Sequence, residues 1–120
     1  MAPGAGGQRG IRDTVWAPPA AGLLPYVTSK GALVAMARTL AVEHGADGIA
    51  VTCVAPGLTA TPAARAGMPA AVFEAVRGRQ ALPRTLVPAD VAATVAFLAS
   101  DGAAALTGQT LCPDGGLVMR

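Results

Sequence analysis

The sequence predicts an α/β fold in which helices alternate with parallel strands. Two short apolar runs, residues 49–54 and a second that begins near Gly108, have the composition of strands buried in a sheet. A longer segment of helical apolar periodicity precedes each run, and proline or glycine marks the ends of these segments. The resulting order of helix, strand, irregular excursion, helix and strand is typical of an α/β architecture with parallel strands.

The first helix is predicted from about Tyr26 to His44. Pro25 suits the residue that leads into a helix, and Gly45 is expected to close it. Its apolar stripe is formed by Leu33, Met36, Ala37, Leu40 and Ala41.

The rest of the chain contains the second half of this alternation. The strand at residues 49–54 is broken by Pro56 and Gly57, and an irregular stretch with a short helix around residues 69–78 follows. Pro88 then resembles the start of an apolar helix that runs to about Ser100. The last strand is followed by a turn, Asp114-Gly115-Gly116, which we interpret as structural.

Length and composition limit the classes of function. The 120 residues suffice for one small domain, and the chain is 52% hydrophobic but only 3% aromatic. The net charge is +2 and the basic residues are scattered, so a nucleic-acid partner is not expected. No segment has the length of a membrane span. Cys53 and Cys112 are expected to be buried free thiols of a cytoplasmic protein, and no metal site is expected.

The N-terminal segment is interpreted as lying outside the fold. Residues 1–12 are predicted to be disordered or non-native, and residues 13–120 to form the domain. The glycines of the first ten residues are not interpreted as a dinucleotide-binding loop, because such a loop leaves a strand and opens a helix.

Tyr26 and Lys30 lie four residues apart at the start of the first predicted helix. Side chains at this spacing are neighbours on one helix face, so the phenol and the ammonium are expected to be adjacent. A nearby cation favours the phenolate, and a phenol that gives and takes a proton is a usable acid–base catalyst. The same spacing is common on solvated helix faces, so the pair alone leaves both interpretations open.

Four local motifs follow one another along the chain. They are Tyr26-Val-Thr-Ser-Lys30-Gly-Ala-Leu33, Val51-Thr-Cys-Val-Ala-Pro56-Gly57, Thr61 four residues after that glycine, and Leu106-Thr-Gly-Gln-Thr-Leu-Cys-Pro-Asp114-Gly115-Gly116. In this order they resemble the short-chain dehydrogenase/reductase family over about residues 13–119, the C-terminal half of a typical member. The resemblance implies the C-terminal part of a doubly wound, Rossmann-like parallel sheet, incomplete here. It also implies an oxidoreductase that transfers hydride between NAD or NADP and a carbonyl or alcohol substrate.

The resemblance implies a role for each matching residue. Tyr26 would be the acid that protonates a carbonyl oxygen, or the base in the reverse direction. Lys30 would lower the pKa of Tyr26 and hydrogen-bond the nicotinamide ribose. A tyrosine ordinarily titrates near pH ~10, so work near neutrality needs about 3–4 kcal/mol of phenolate stabilisation. Further cofactor contacts would come from Pro56, Gly57, the backbone of Leu58 and the hydroxyl of Thr61.

Parts of the family pattern have no counterpart in the sequence. The Gly-x-x-x-Gly-x-Gly loop that holds the cofactor phosphates is missing, and Arg12 stands in the place of the catalytic serine. Thr14 offers a hydroxyl nearby, but only its closeness in the sequence favours it as a replacement for the serine. The strand at residues 49–54 would also lack the upstream strand beside it. We therefore expect a truncated chain, either a fragment or a mis-started gene model, with little activity of its own.

Two functions therefore compete. The leading one is the oxidoreductase, with a small-molecule substrate and a homo-oligomer in the full-length family form. The alternative is a non-catalytic remnant that acts as an interaction or oligomerisation module. The resemblance implies that about residues 58–86 face substrate, and Met68, Phe73 and Leu82 in this region suggest an apolar wall, which suits many substrates equally.

Overall fold

The computed structural model describes residues 21–119. The predictions for residues 1–12, for Arg12 and for Thr14 lie outside these residues. The described elements are α1 (Leu24–His44), β1 (Cys53–Val54), α2 (Pro62–Gly67), α3 (Ala70–Arg79), α4 (Pro88–Leu98) and β2 (Thr110–Leu111). The predicted α/β order is confirmed, and α2 is an additional helix.

Helix α1 begins two residues earlier than predicted and ends at His44 as predicted. Gly45 is the C-cap residue, as expected, but it keeps a right-handed conformation with φ −60° and opens a 3₁₀ turn through Asp47. Gly48 adopts φ +75°, and its N–H donates to the carbonyl of Gly45 at 3.0 Å. The 3₁₀ turn after α1 therefore ends in a left-handed residue, and glycine adopts this positive φ without steric cost.

The two strands form a parallel sheet. Its register pairs Cys53 with Thr110 and Val54 with Leu111. The predicted parallel arrangement is confirmed, but β1 is shorter than the predicted strand because residues 49–52 do not join the strand ladder. Ile49 is exposed rather than covered on both sides.

Small side chains let α1 pack closely on this sheet. Ala37 and Ala41 are its buried residues. A Cβ atom built on Gly108, just before β2, would lie 3.4 Å from the Cβ of Ala41. Cys53 donates its S–H to the carbonyl of Leu33 at 3.7 Å. Both cysteines are free, as expected, but half-buried rather than buried.

The crossover between the strands has its own apolar core. It consists of Leu58, Ala60, Phe73 and Val76, with Met68 packed against it. Phe73 was expected in an apolar wall facing substrate, and it is instead 8% exposed within this core. The third residue of that expected wall, Leu82, is exposed.

Helix α4 begins at Pro88, as predicted, and hydrogen bonds to the Asp90 carboxylate stabilise its first turn. Arg84 donates two hydrogen bonds to the Asp90 carboxylate, at 2.9 and 2.6 Å, and the Val87 N–H donates a third at 2.8 Å. The bonds from Arg84, together with that from Val87, lower the pKa of Asp90 to about 2. A carboxylate at this position also interacts favourably with the helix dipole.

None of the helices in residues 21–119 is both long enough and apolar enough to cross a bilayer.

Candidate functional site

Helix α1 places Tyr26 and Lys30 side by side in its first two turns. The Nζ atom of Lys30 lies 5.3 Å from the centroid of the Tyr26 ring. Tyr26 is 43% exposed, and Lys30 is exposed as well. The phenol and the ammonium are therefore neighbours, as the spacing predicts. Their catalytic role stays a prediction.

Two features of α1 would stabilise a negative charge on the Tyr26 phenol. An ammonium at this distance from the ring attracts both the neutral ring face and a phenolate. Tyr26 is the third residue of α1, so the positive end of the helix dipole lies in the same turn. Among the ion pairs of the described chain none engages Lys30, so its charge is not neutralised by a carboxylate there.

The Pro56–Gly57 turn continues the sheet beyond β1. The N–H of Ala55 donates to the carbonyl of Leu111 at 2.8 Å, and the N–H of Gly57 donates to the carbonyl of Pro113 at 3.2 Å. The backbone of the turn is therefore tied to the segment that follows β2.

Gly57 has no room for a side chain. A Cβ atom built there would lie 2.9 Å from both the Cα and the Cβ of Asp114, and 3.3 Å from Cδ1 of Leu86. Packing against the C-terminal turn thus already requires glycine at this position. The predicted approach of a cofactor to this glycine stays a prediction.

The other two predicted cofactor contacts have structural partners of their own. Leu58 is buried in the crossover core. The hydroxyl oxygen of Thr61 accepts the Ala64 N–H at 3.0 Å and caps α2. The Thr61 hydroxyl hydrogen is still available to a further acceptor, since only the oxygen takes part in the cap.

After α1 the chain returns alongside the helix and reaches Leu33 at Cys53. After the turn at Gly48, the chain runs back along α1, and the sulfur of Cys53 contacts the carbonyl of Leu33. The three extended residues to Pro56 span about 10 Å at ~3.3 Å per residue, which is the length of about seven helical residues. Seven residues back from Leu33 is Tyr26. By this estimate of length, Tyr26 and Pro56 lie towards the same end of the α1–β1 layer.

Two buried polar residues near this turn were not singled out as site residues from the sequence. Gln80 and Asp114 are each 7% exposed, and they are the buried polar or charged residues of the described chain. Asp114 stood in a motif assigned to structure. No local pattern marks Gln80, because its importance comes from contacts with residues distant in sequence.

No metal site is formed by the described chain, since residues 21–119 hold no group of three or more His, Cys, Asp or Glu side chains suited to an ion.

Comparison with known proteins identifies the family. A family model described as enoyl-(acyl carrier protein) reductase matches residues 15–118. A probable short-chain type dehydrogenase/reductase of Bradyrhizobium diazoefficiens is 44% identical over 96 residues, which are 80% of this chain and 34% of that protein. The 7α-hydroxysteroid dehydrogenase of Bacteroides fragilis is 42% identical over 95 residues, or 79% of this chain and 37% of that protein.

A solved structure agrees with these relatives. The structure of 4-hydroxyisoleucine dehydrogenase complexed with NADH superposes with a TM-score of 0.67 at 30% identity. The similarity covers 78% of this chain and 38% of that one, so the chain spans little more than a third of the proteins it matches. The matched residues include Tyr26, Lys30 and the Pro56–Gly57 turn. The chain belongs to the short-chain dehydrogenase/reductase family.

Proposed function

We propose that this chain carries the acid–base pair and the nicotinamide side of an oxidoreductase. The reaction is hydride transfer between NAD or NADP and a carbonyl or alcohol substrate. The observation that supports the proposal is the position of the Lys30 Nζ atom, 5.3 Å from the centroid of the Tyr26 ring. The NADH complex of 4-hydroxyisoleucine dehydrogenase and the kinship with a hydroxysteroid dehydrogenase support a nicotinamide cofactor and a small alcohol or carbonyl substrate.

The side chains present fit the ribose and amide side of such a cofactor. An ammonium and a phenol are exposed on one face of α1, and both can hydrogen-bond ribose hydroxyls. Thr61 would add a hydroxyl donor from the start of α2. Lys30 would hold the ribose, and Thr61 with the Leu58 backbone would contact the amide or phosphate region.

The chemistry divides between the cofactor and the protein. A bound nicotinamide would supply or accept the hydride. The Tyr26 hydroxyl would hold the proton that the substrate oxygen gains during reduction, or would accept it during oxidation. The Lys30 ammonium would stabilise the phenolate that remains after the proton has been given.

The exposure of the pair limits what it achieves in this chain. With the phenolate charge placed at the ring centroid, 5.3 Å from the Lys30 Nζ atom, two opposite unit charges attract by about 0.8 kcal/mol in water and by about 3 kcal/mol at an effective dielectric constant near 20. The larger value applies to charges near a protein surface and approaches the stabilisation that neutral-pH work requires, while solvent around an exposed pair lowers the attraction towards the smaller value. Tyr26 is 43% exposed, so we propose that the 120 residues alone are a poor catalyst.

Titration of the chain with NADH and NADPH tests the proposal. Saturation-transfer NMR is expected to show weak binding through the nicotinamide ribose protons, and Lys30→Met is expected to abolish that transfer. Arg38→Met is the matched control, because it removes another exposed positive charge from the same helix. Absence of any transfer at millimolar cofactor would contradict the proposal.

A second function is favoured by the apolar surface of α1. Leu33 and Met36 lie three residues apart on one face of α1, and both are about half-exposed. An apolar patch of this kind is typical of an interaction surface, so the chain is an alternative candidate for an interaction or oligomerisation module. Sedimentation velocity tests this, since a module of this kind forms a dimer that Met36→Glu disrupts. A monomer at high micromolar concentration argues against self-association.

The cellular location that we propose is the cytoplasm, supported by two free and half-buried thiols, which persist in a reducing compartment.

A further inference from the structure

We propose that Gln80 and Asp114 are positioning residues that hold the Pro56–Leu58 turn in place. The inference rests on the proposed function, in which this turn faces the cofactor. Both residues are 7% exposed, and the side chain of each forms hydrogen bonds with backbone groups.

Gln80 fixes the loop that leads from α3 to α4. Its Nε2 atom donates to the carbonyl of Leu82 at 2.9 Å and to the carbonyl of Arg84 at 2.8 Å, so both amide hydrogens are used. The amide lies directly over Gly115, where an added Cβ atom would clash with Nε2. Gly115 has φ +67°, and its carbonyl accepts the Leu82 N–H at 2.9 Å. The loop is therefore attached to the C-terminal turn.

Asp114 fixes the C-terminal turn from within. Its Oδ1 accepts the Gly116 N–H at 2.9 Å, and its Oδ2 accepts the Val118 N–H at 3.1 Å. One carboxylate thus holds two backbone groups of the last residues in a closed turn. The turn keeps its shape because a charged acceptor forms stronger hydrogen bonds than a neutral one.

Both segments end against Gly57. The Cα and Cβ of Asp114 occupy the space on one side of the glycine, and Leu86, at the end of the Gln80 loop, occupies another. The carbonyl of Leu86 also accepts the Ala60 N–H at 2.8 Å, just after the turn. The turn is therefore held between two segments, each shaped by one buried polar side chain.

Amide hydrogen exchange on the full chain measures this coupling without any ligand. Gln80→Met keeps the side chain's size and removes its donors, and it is expected to speed exchange at the Gly57 and Ala60 amides about tenfold or more. The Gly108 N–H donates to the Val51 carbonyl at 2.7 Å at the opposite end of the strand pair, and its amide is expected to stay protected. Gln109→Met is the matched control, since Gln109 is exposed. Unchanged exchange at Gly57 in Gln80→Met would overturn the proposal.

A second variant covers the case in which Gln80→Met unfolds the chain, which would show as faster exchange at Gly108 too. Asp114→Asn keeps one acceptor oxygen and is then expected to speed exchange at Gly57 while Gly108 stays protected. If Asp114→Asn also removes protection from exchange equally at the Gly57 and Gly108 amides, Asp114 supports the whole fold and not the turn, which would overturn the proposal.

The affinity for NADH tests the link to the cofactor. Where the unmodified chain binds NADH, Gln80→Met is expected to raise its Kd about tenfold, and Gln109→Met to leave it unchanged. A loosened turn with an unchanged Kd would overturn the positioning role. A chain that binds no NADH contradicts the proposed function and with it the cofactor part of this inference, while hydrogen exchange still decides whether Gln80 holds the turn.

Discussion

Gly57→Ala is expected to destabilise the fold because the added methyl group has no space. Its carbon would lie 2.9 Å from the Cα and the Cβ of Asp114, where favourable carbon contacts need about 3.5–4.0 Å. One of these atoms is backbone, so the C-terminal turn would have to move. Gly57 has no positive φ, so strain does not add to the clash. Overpacking costs about 1–3 kcal/mol, and the lower entropy of the unfolded alanine chain offsets about 0.4–1 kcal/mol of it.

Urea unfolding followed by far-UV circular dichroism measures the difference. We expect Gly57→Ala to lower the free energy of unfolding by about 1–2 kcal/mol, the balance of these two effects. Gly78→Ala is the matched control, because Gly78 lies in α3 with nothing within 4 Å of an added Cβ. That variant is expected to stabilise the chain by about 0.5–1 kcal/mol. A Gly57→Ala chain as stable as the parent, beside a stabilised Gly78→Ala chain, would refute the reasoning.

Three further predictions concern the stability of the crossover. The folded pKa of Asp90, about 2, lies below its unfolded value near ~3.9, so its contribution is present above pH ~4 and is lost as the pH falls towards 2. Asp90→Asn is therefore expected to weaken this acid-dependent loss in unfolding curves between pH ~4 and ~2. Thr61→Ala removes the α2 cap and is expected to cost about 1 kcal/mol in urea unfolding, and a variant as stable as the parent would contradict the cap. Phe73→Ala empties the crossover core and is expected to cost about 3–5 kcal/mol, enough to leave the isolated chain largely unfolded by circular dichroism.

The parts of the fold that local chemistry determines were predicted from the sequence. Proline at the first turn, apolar periodicity and a downstream glycine or aspartate were enough to place α1 and α4 within two residues at each boundary. The sequence also places Tyr26 and Lys30 on one face of α1, because their spacing is a property of any helix.

The rest depends on contacts between residues distant in sequence. Thr61 was interpreted as a cofactor contact, and its hydroxyl oxygen also caps a helix that was not predicted. Phe73 was expected to face substrate and packs inward, because the sequence does not state which side of α3 Leu58 and Ala60 will cover. Gly57 needs to be glycine because Asp114, far along the chain, lies against it.

The ionisation of Tyr26 tests the central claim that Lys30 stabilises its phenolate. Tyr26 is the single tyrosine of the chain, so absorbance near 295 nm follows its titration alone. Lys30→Met is expected to raise the titration midpoint by about half a pH unit. This shift corresponds to the loss of about 0.8 kcal/mol of attraction between the two charges in water. Lys30→Arg keeps the positive charge and is expected to keep the midpoint below that of Lys30→Met. An equal midpoint in all three chains would contradict the claim.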